Sequence, residues 1–165
     1  MKNSGNTREN FSMLFAEIKS VMPEEGTYDS VYVVQNGKFR FVNPQFAAAG
    51  GFTEKEMLGM ESARLIHPND QEEARENAIK MLKGERTLPY TFRIIAKDGS
   101  VKWIQETVHA ITYKGKRAVL GNSMDVTAHR EAMEKLRDLQ ALQNSILDAL
   151  PIAVLGMHAR RIVLA

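Results

Sequence analysis

Asp70, Glu72 and Glu73 lie close enough along the chain to be read as an acid–base pair of carboxylates. The same residues suit the first turn of a helix opened by Pro68-Asn69-Asp70, where negative charge meets the positive end of the helix dipole. That second reading accounts for them without catalysis. The four histidines are scattered without ligand spacing, so no metal site is expected. There is no cysteine, which excludes disulfides, thiolate metal sites, a cysteine nucleophile and photochemistry through a cysteinyl adduct. No nucleophile motif or phosphate-binding glycine loop is present. The chain is therefore not expected to be an enzyme by itself.

The elements that would position such residues follow from composition and periodicity. With 44% hydrophobic and 25% charged residues over 165 positions, the sequence suits one globular domain with some helical extension. A formal charge of +2, with no long basic run, points to no nucleic-acid partner. Phe11, Leu14, Phe15, Ile18 and Met22 recur at helical spacing, which predicts an amphipathic helix from about Thr7 to Val21. Ser30 to Val34 and Lys38 to Val42 read as strands joined by Asn36-Gly37, a tight-turn dipeptide. Short helical pieces follow at Pro44–Ala49, Thr53–Leu58 and Ser62–Leu65. A longer helix then runs to about Lys83, with Asn69 as the expected N-cap answered by Glu72. Leu88 to Ala96, Val101 to Tyr113 and Arg117 to Val126 complete five antiparallel strands of an α+β domain, with the helices inserted between the second and third.

After Thr127 the pattern changes. Ala132, Leu136, Leu139, Gln143, Ile146 and Leu150 alternate in steps of four and three, the seam of a coiled coil with one polar member. The expected divisions are a helix and linker over 1–26, the domain over 27–127, a coiled-coil helix over 128–150, and a separate start over 151–165.

Particular strings carry a family resemblance. They are Phe39-Arg40-Phe41-Val42-Asn43-Pro44-Gln45-Phe46, Gly51-Phe52-Thr53, Leu58-Gly59, Leu65-Ile66-His67-Pro68-Asn69-Asp70, Phe92-Arg93, Lys97-Asp98-Gly99 and Trp103, closed by Gly121 and Asp125-Val126-Thr127. In this order they resemble the PAS superfamily, of the S-box or PAS-fold type with its closing PAC motif, over about Tyr28 to Thr127. Asn144 to Leu155 resembles the entry to a second PAS domain, which implies a fragment of a longer multidomain protein.

The resemblance implies a sensory input domain of a signal-transduction protein, such as a sensor histidine kinase of a two-component system. It implies a pocket between the curved sheet and the helices. Candidate lining residues are Phe41, Phe46, Met57, Leu65, Ile66, Ile79, Phe92, Ile94, Leu120 and Met124, all of which also read as ordinary core. Haem-binding relatives carry a histidine one turn into the longer helix, where this chain has Ala74 and Arg75, so haem is not expected. Without cysteine the flavin adduct is excluded, which leaves a small organic ligand or none. His67 reads as structural, and His109 as a strand residue able to face either side.

Asp125, Val126 and Thr127 resemble the signature that joins PAS cores to their signalling helices, and they are the candidate relay. His129-Arg130-Glu131 lacks the residues that follow the phosphoacceptor histidine of sensor kinases, so it reads as solvated helix. The expected partners are a second copy through the terminal helices and a small-molecule ligand. The polar Met1–Asn10 start and the short apolar run Ala149–Met157 suggest no membrane contact and a cytoplasmic location. The alternative function is a ligand-free PAS module for dimerisation or docking. A small α+β enzyme would require paired titratable groups in the pocket, and none is evident from the sequence.

Overall fold

Two β-rich runs flank Asn36-Gly37, and both turn residues take positive φ (54° and 73°), which matches the twist of a tight hairpin. They open a computed structural model that describes residues 30–149. The helix expected over 7–21 and the second-domain entry over 151–165 lie outside the described residues. Strands β1 (Ser30–Gln35) and β2 (Lys38–Val42) pair antiparallel, with a register irregularity between Val33 and Val34. Helices α1 (Pro44–Ala49) and α2 (Glu54–Met57) follow, then short 3-10 turns at Ser62–Leu65 and Pro68–Asp70, and helix α3 (Gln71–Leu82). Strands β3 (Tyr90–Ile95), β4 (Val101–Tyr113) and β5 (Lys116–Asp125) complete a sheet of order β2-β1-β5-β4-β3. The last strand thus lies at the centre, and the helical pieces are inserted between β2 and β3. This is the α+β order read from the sequence.

Local chemistry explains each boundary. Asn43 caps α1: its Oδ1 accepts from Phe46 N at 2.9 Å and from Val31 N at 3.1 Å, which ties the helix start to β1. Thr53 and Glu56 form a capping box at α2. The cap expected at Asn69 does not form. A 3-10 turn occupies Pro68–Asp70, the Asn69 backbone N donates to His67 Nδ1 at 3.3 Å, and α3 begins without a side-chain cap bond. Asp70 turns to Arg93 instead, accepting at Oδ2 from its backbone N and from its Nε, both at 2.9 Å. A further guanidinium–carboxylate contact joins Arg93 Nη2 to Asp70 Oδ1. This fork pins the start of α3 to the outer edge of the sheet.

Strand β3 starts at Tyr90, two residues later than the expected Leu88. Pro89 has no N–H for a ladder, and the Arg86 guanidinium holds the approach by donating to Leu88 O at 2.9 Å and Pro89 O at 3.1 Å.

Alternation divides the sheet into two faces. Tyr32, Phe39, Val42, Met57 and Leu65 form one buried cluster on the helix-bearing face, and Ala74, Tyr90, Phe92, Ile94, Ile104 and Val108 form another. Val31, Val33, Ala118 and Leu120 are buried on the opposite face.

A second unit begins at Thr127. Helix α4 (Thr127–Ala149) has no buried residue, and Met133, Leu136, Leu139, Leu142, Ile146 and Leu147 are exposed along it. Three members of the expected seam, Leu136, Leu139 and Ile146, belong to this stripe. Leu150 lies outside the described residues. No described helix is long and apolar enough to cross a membrane.

Candidate functional site

The inward faces of all five strands and the helices between β2 and β3 line a partly open cavity of about 480 Å³. Small-molecule sites commonly occupy roughly 300–1,000 Å³. Tyr32 and Val34 come from β1, Phe39 from β2, Phe46 from α1 and Met57 from α2. Ala74, Ala78 and Leu82 of α3 repeat every four residues, and the two alanines leave room in the space. The far wall is Tyr90, Phe92 and Ile94 of β3 with Ile104, Glu106 and Val108 of β4, all at every second position.

Six of the ten residues expected at the pocket line this cavity: Phe46, Met57, Leu65, Ile66, Phe92 and Ile94. The other four do not. Phe41 and Leu120 lie on the opposite face of the sheet, packed with Val31 and Val33. Met124 shares the outward parity of Leu120 and is 49% exposed. The β5 residues that reach the cavity are the alternate ones, Val119 and Ser123. Ile79 is 41% exposed because α3 turns Ala74, Ala78 and Leu82 inward, one position out of step with it.

The sequence reading missed the polar end of the cavity. Glu106 is only 8% exposed, and its Oε1 accepts from the Tyr90 hydroxyl at 2.5 Å. The buried Tyr32 side chain lines the same pole of the cavity, and its hydroxyl helps to hold the charge of this carboxyl. Burial pushes the Glu106 carboxyl up to about 7, and the Tyr90 hydrogen bond and then the Tyr32 hydroxyl partly oppose that rise. Burial and the Glu106 charge push both tyrosines above their usual value, so both phenols stay neutral donors. Titratable groups are therefore paired in the pocket after all. The available signal was Glu106 itself, which alternates with Ile104 and Val108 on an otherwise apolar strand face.

Neighbouring residues set this pole in place. Tyr32 lies across from Gly121 in the register, and a Cβ at Gly121 would come within 2.0 Å of the tyrosine ring. Only glycine leaves room for that ring. Tyr90 pairs with Glu106 across β3 and β4, and Glu106 pairs with Ser123 across β4 and β5. The Arg86 guanidinium stands 5.9 Å from the Tyr90 ring centre and also donates to Asn77 Oδ1 at 3.2 Å.

The candidate relay lies at the end of β5. Asp125 faces Lys102 Nζ at 3.6 Å, and that ammonium also donates to Ala49 O at 2.7 Å. Val126 N donates to Trp103 O at 2.9 Å, and Thr127 opens α4. His67 N donates to Arg93 O at 2.9 Å. His109 pairs with Leu120, which places it on the face away from the cavity, where burial lowers its pKa. Among the described residues no cluster of three or more potential metal ligands occurs.

Comparison with known proteins agrees with this geometry. The chain is 25% identical over 123 residues to an uncharacterised Sinorhizobium fredii protein, y4lL. That match covers 72% of the chain and 14% of the relative's length. The fold is similar to a sensory box histidine kinase/response regulator from Burkholderia thailandensis, with TM-score 0.55 and 22% identity over 70% of this chain and 90% of that one. It is also similar to the PAS domain of a Colwellia psychrerythraea protein, with TM-score 0.57 and 20% identity over 70% and 98% of the two chains. A family model described as the PAS fold matches residues 39–121, which span most of β2, the inserted helices, and β3 to the middle of β5. By that match and this topology, the chain belongs to the PAS fold family.

Proposed function

We propose that the chain is the sensory input module of a larger signal-transduction protein, perceiving a small organic ligand in the cavity between sheet and helices. The observation that carries this reading is the cavity itself: about 480 Å³, mostly apolar, with one buried polar end at Glu106, Tyr90 and Tyr32. A few polar groups that fix orientation within an apolar wall are the usual chemistry of a small-molecule site.

In this reading a bound ligand shifts β5, and Asp125-Val126-Thr127 passes the shift into α4. The exposed stripe of α4 pairs with the same stripe of a second copy, and the output is a kinase or another effector. The fold-level likeness to a sensory box histidine kinase and the short share of y4lL that is matched both support a module within a longer chain. The resemblance of Asn144 to Leu155 to a PAS entry supports a second such domain following. The chain carries no reaction of its own here: both phenols remain neutral donors, and Glu106 serves recognition.

The test is a small-molecule library added to the isotope-labelled chain, read by amide NMR shifts. Shifts concentrated at cavity positions such as Phe92, Ile104 and Val119 are expected. A library that leaves every cavity amide unmoved would sink the sensory reading in favour of a ligand-free docking module.

A further inference from the structure

Resting on the reading of the cavity as a ligand site, we infer that its ligand is an organic cation, an amine or ammonium group on an apolar or aromatic body. Among the described residues, the carboxyl at the pole of the cavity, Glu106, has no cation partner. Its hydrogen-bond partner is the neutral Tyr90 phenol, and the neutral Tyr32 phenol lines the same pole. A buried carboxylate without a counter-charge is costly, and a positive group brought in with the ligand removes that cost. The Tyr90 phenol occupies part of the carboxylate's accepting capacity at Oε1, and the remaining lone pairs are left for an N–H donor.

The walls near that pole suit the same chemistry. Tyr32, Phe39 and Phe46 form a ring cluster with centroid separations of 4.7–5.5 Å, and Tyr90 stacks on Phe92 at 5.8 Å. Aromatic faces attract ammonium groups, most strongly where water is excluded. A carboxylate ligand would instead meet Glu106 as a like charge.

The charged and titratable groups facing the site are few. Tyr32 comes from β1, Tyr90 from β3, and Glu72 and Arg75 from α3, both of the last two exposed at the cavity wall. Arg86 stands on the Tyr90 ring, where it moderates the rise in that phenol's pKa. Glu72 and Arg75 offset each other in formal charge, so Glu106 sets the sign at the buried end. With the Glu106 carboxyl at about 7, amine binding strengthens as pH rises from 5.5 to 8.

The experiment is calorimetric titration of the full chain with phenethylamine, tryptamine and octylamine, each paired with its neutral alcohol: 2-phenylethanol, tryptophol and octanol. At pH 8 at least one amine is expected to bind about tenfold or more tighter than its alcohol, the scale of one charge-assisted hydrogen bond. That preference is expected to disappear in Glu106→Gln and to shrink in wild type at pH 5.5. Phe46→Leu supplies a second variant with the carboxyl intact, and it is expected to narrow the amine preference. Alcohols that bind as tightly as their amines in wild type would overturn the cation inference and leave the sensory reading standing. A preference that survives Glu106→Gln would overturn the assignment of Glu106. Failure of all six probes to bind would overturn the inference and count against the sensory reading as well.

Discussion

Replacing Glu106 with glutamine tests the buried pole through folding alone, without a ligand. The carboxyl is raised from an ordinary 4.5 to about 7, first by burial. At about 1.4 kcal/mol per pH unit, this corresponds to about 3 kcal/mol. In the unfolded chain Glu106 gives up its proton near 4.5, whereas in the folded chain it keeps it until about 7. Stability is therefore lost as pH rises through that window, and above it the folded state carries the full cost of a buried charge. Glutamine fills the same volume, cannot ionise, and has no such dependence. Urea unfolding of both proteins from pH 4 to pH 8 isolates this group, because every other titration is common to the two. The stability of Glu106→Gln relative to wild type is expected to improve by about 3 kcal/mol between pH 4 and pH 8. A difference that stays constant across the range would refute the reasoning, since it would mean that Glu106 ionises alike in both states.

Other perturbations give outcomes of different sign and cause. Asp70→Asn removes a carboxylate that the Arg93 side chain and backbone hold down to about 2. Its contribution is present above the ordinary 3.8 and is lost as pH falls toward 2, so the variant is expected to be less stable by about 1–2 kcal/mol at pH 7 and equal to wild type near pH 2. Thermal or urea melts at the two pH values check this. Gly121→Ala forces a Cβ into the Tyr32 ring, and urea melts are expected to show a loss of about 1–3 kcal/mol from overpacking. Leu136→Glu with Leu139→Glu places charge on the exposed stripe of α4, and light scattering is expected to show a shift from dimer to monomer with the circular dichroism of the sheet domain unchanged.

Much of the fold was legible because its signals are local. Asn36-Gly37 and Lys97-Asp98-Gly99 mark hairpins whose glycines take positive φ, and strand alternation follows directly from the sequence. The site was legible only in part. Six expected residues reach the cavity because they are apolar residues of the inward face or of the inserted helices. Leu120 and Met124 were misplaced by one position of strand parity, a choice that the Gly121–Tyr32 contact settles in three dimensions. Asn69 has the spacing of a cap, answered three residues on by Glu72. The Asp70–Arg93 fork, 23 residues apart in sequence, decides that helix start instead. The Glu106 cluster draws on β1, β3 and β4, and no sequence window contains all three of its members.

The most direct test of the account is native mass spectrometry of freshly purified protein beside its denatured mass, for wild type and for Ala78→Phe, which fills the cavity from α3. The account predicts a discrete small molecule that leaves wild type on denaturation and is absent from Ala78→Phe. A wild-type mass equal to that of the polypeptide alone, or an adduct that persists in Ala78→Phe, would contradict it.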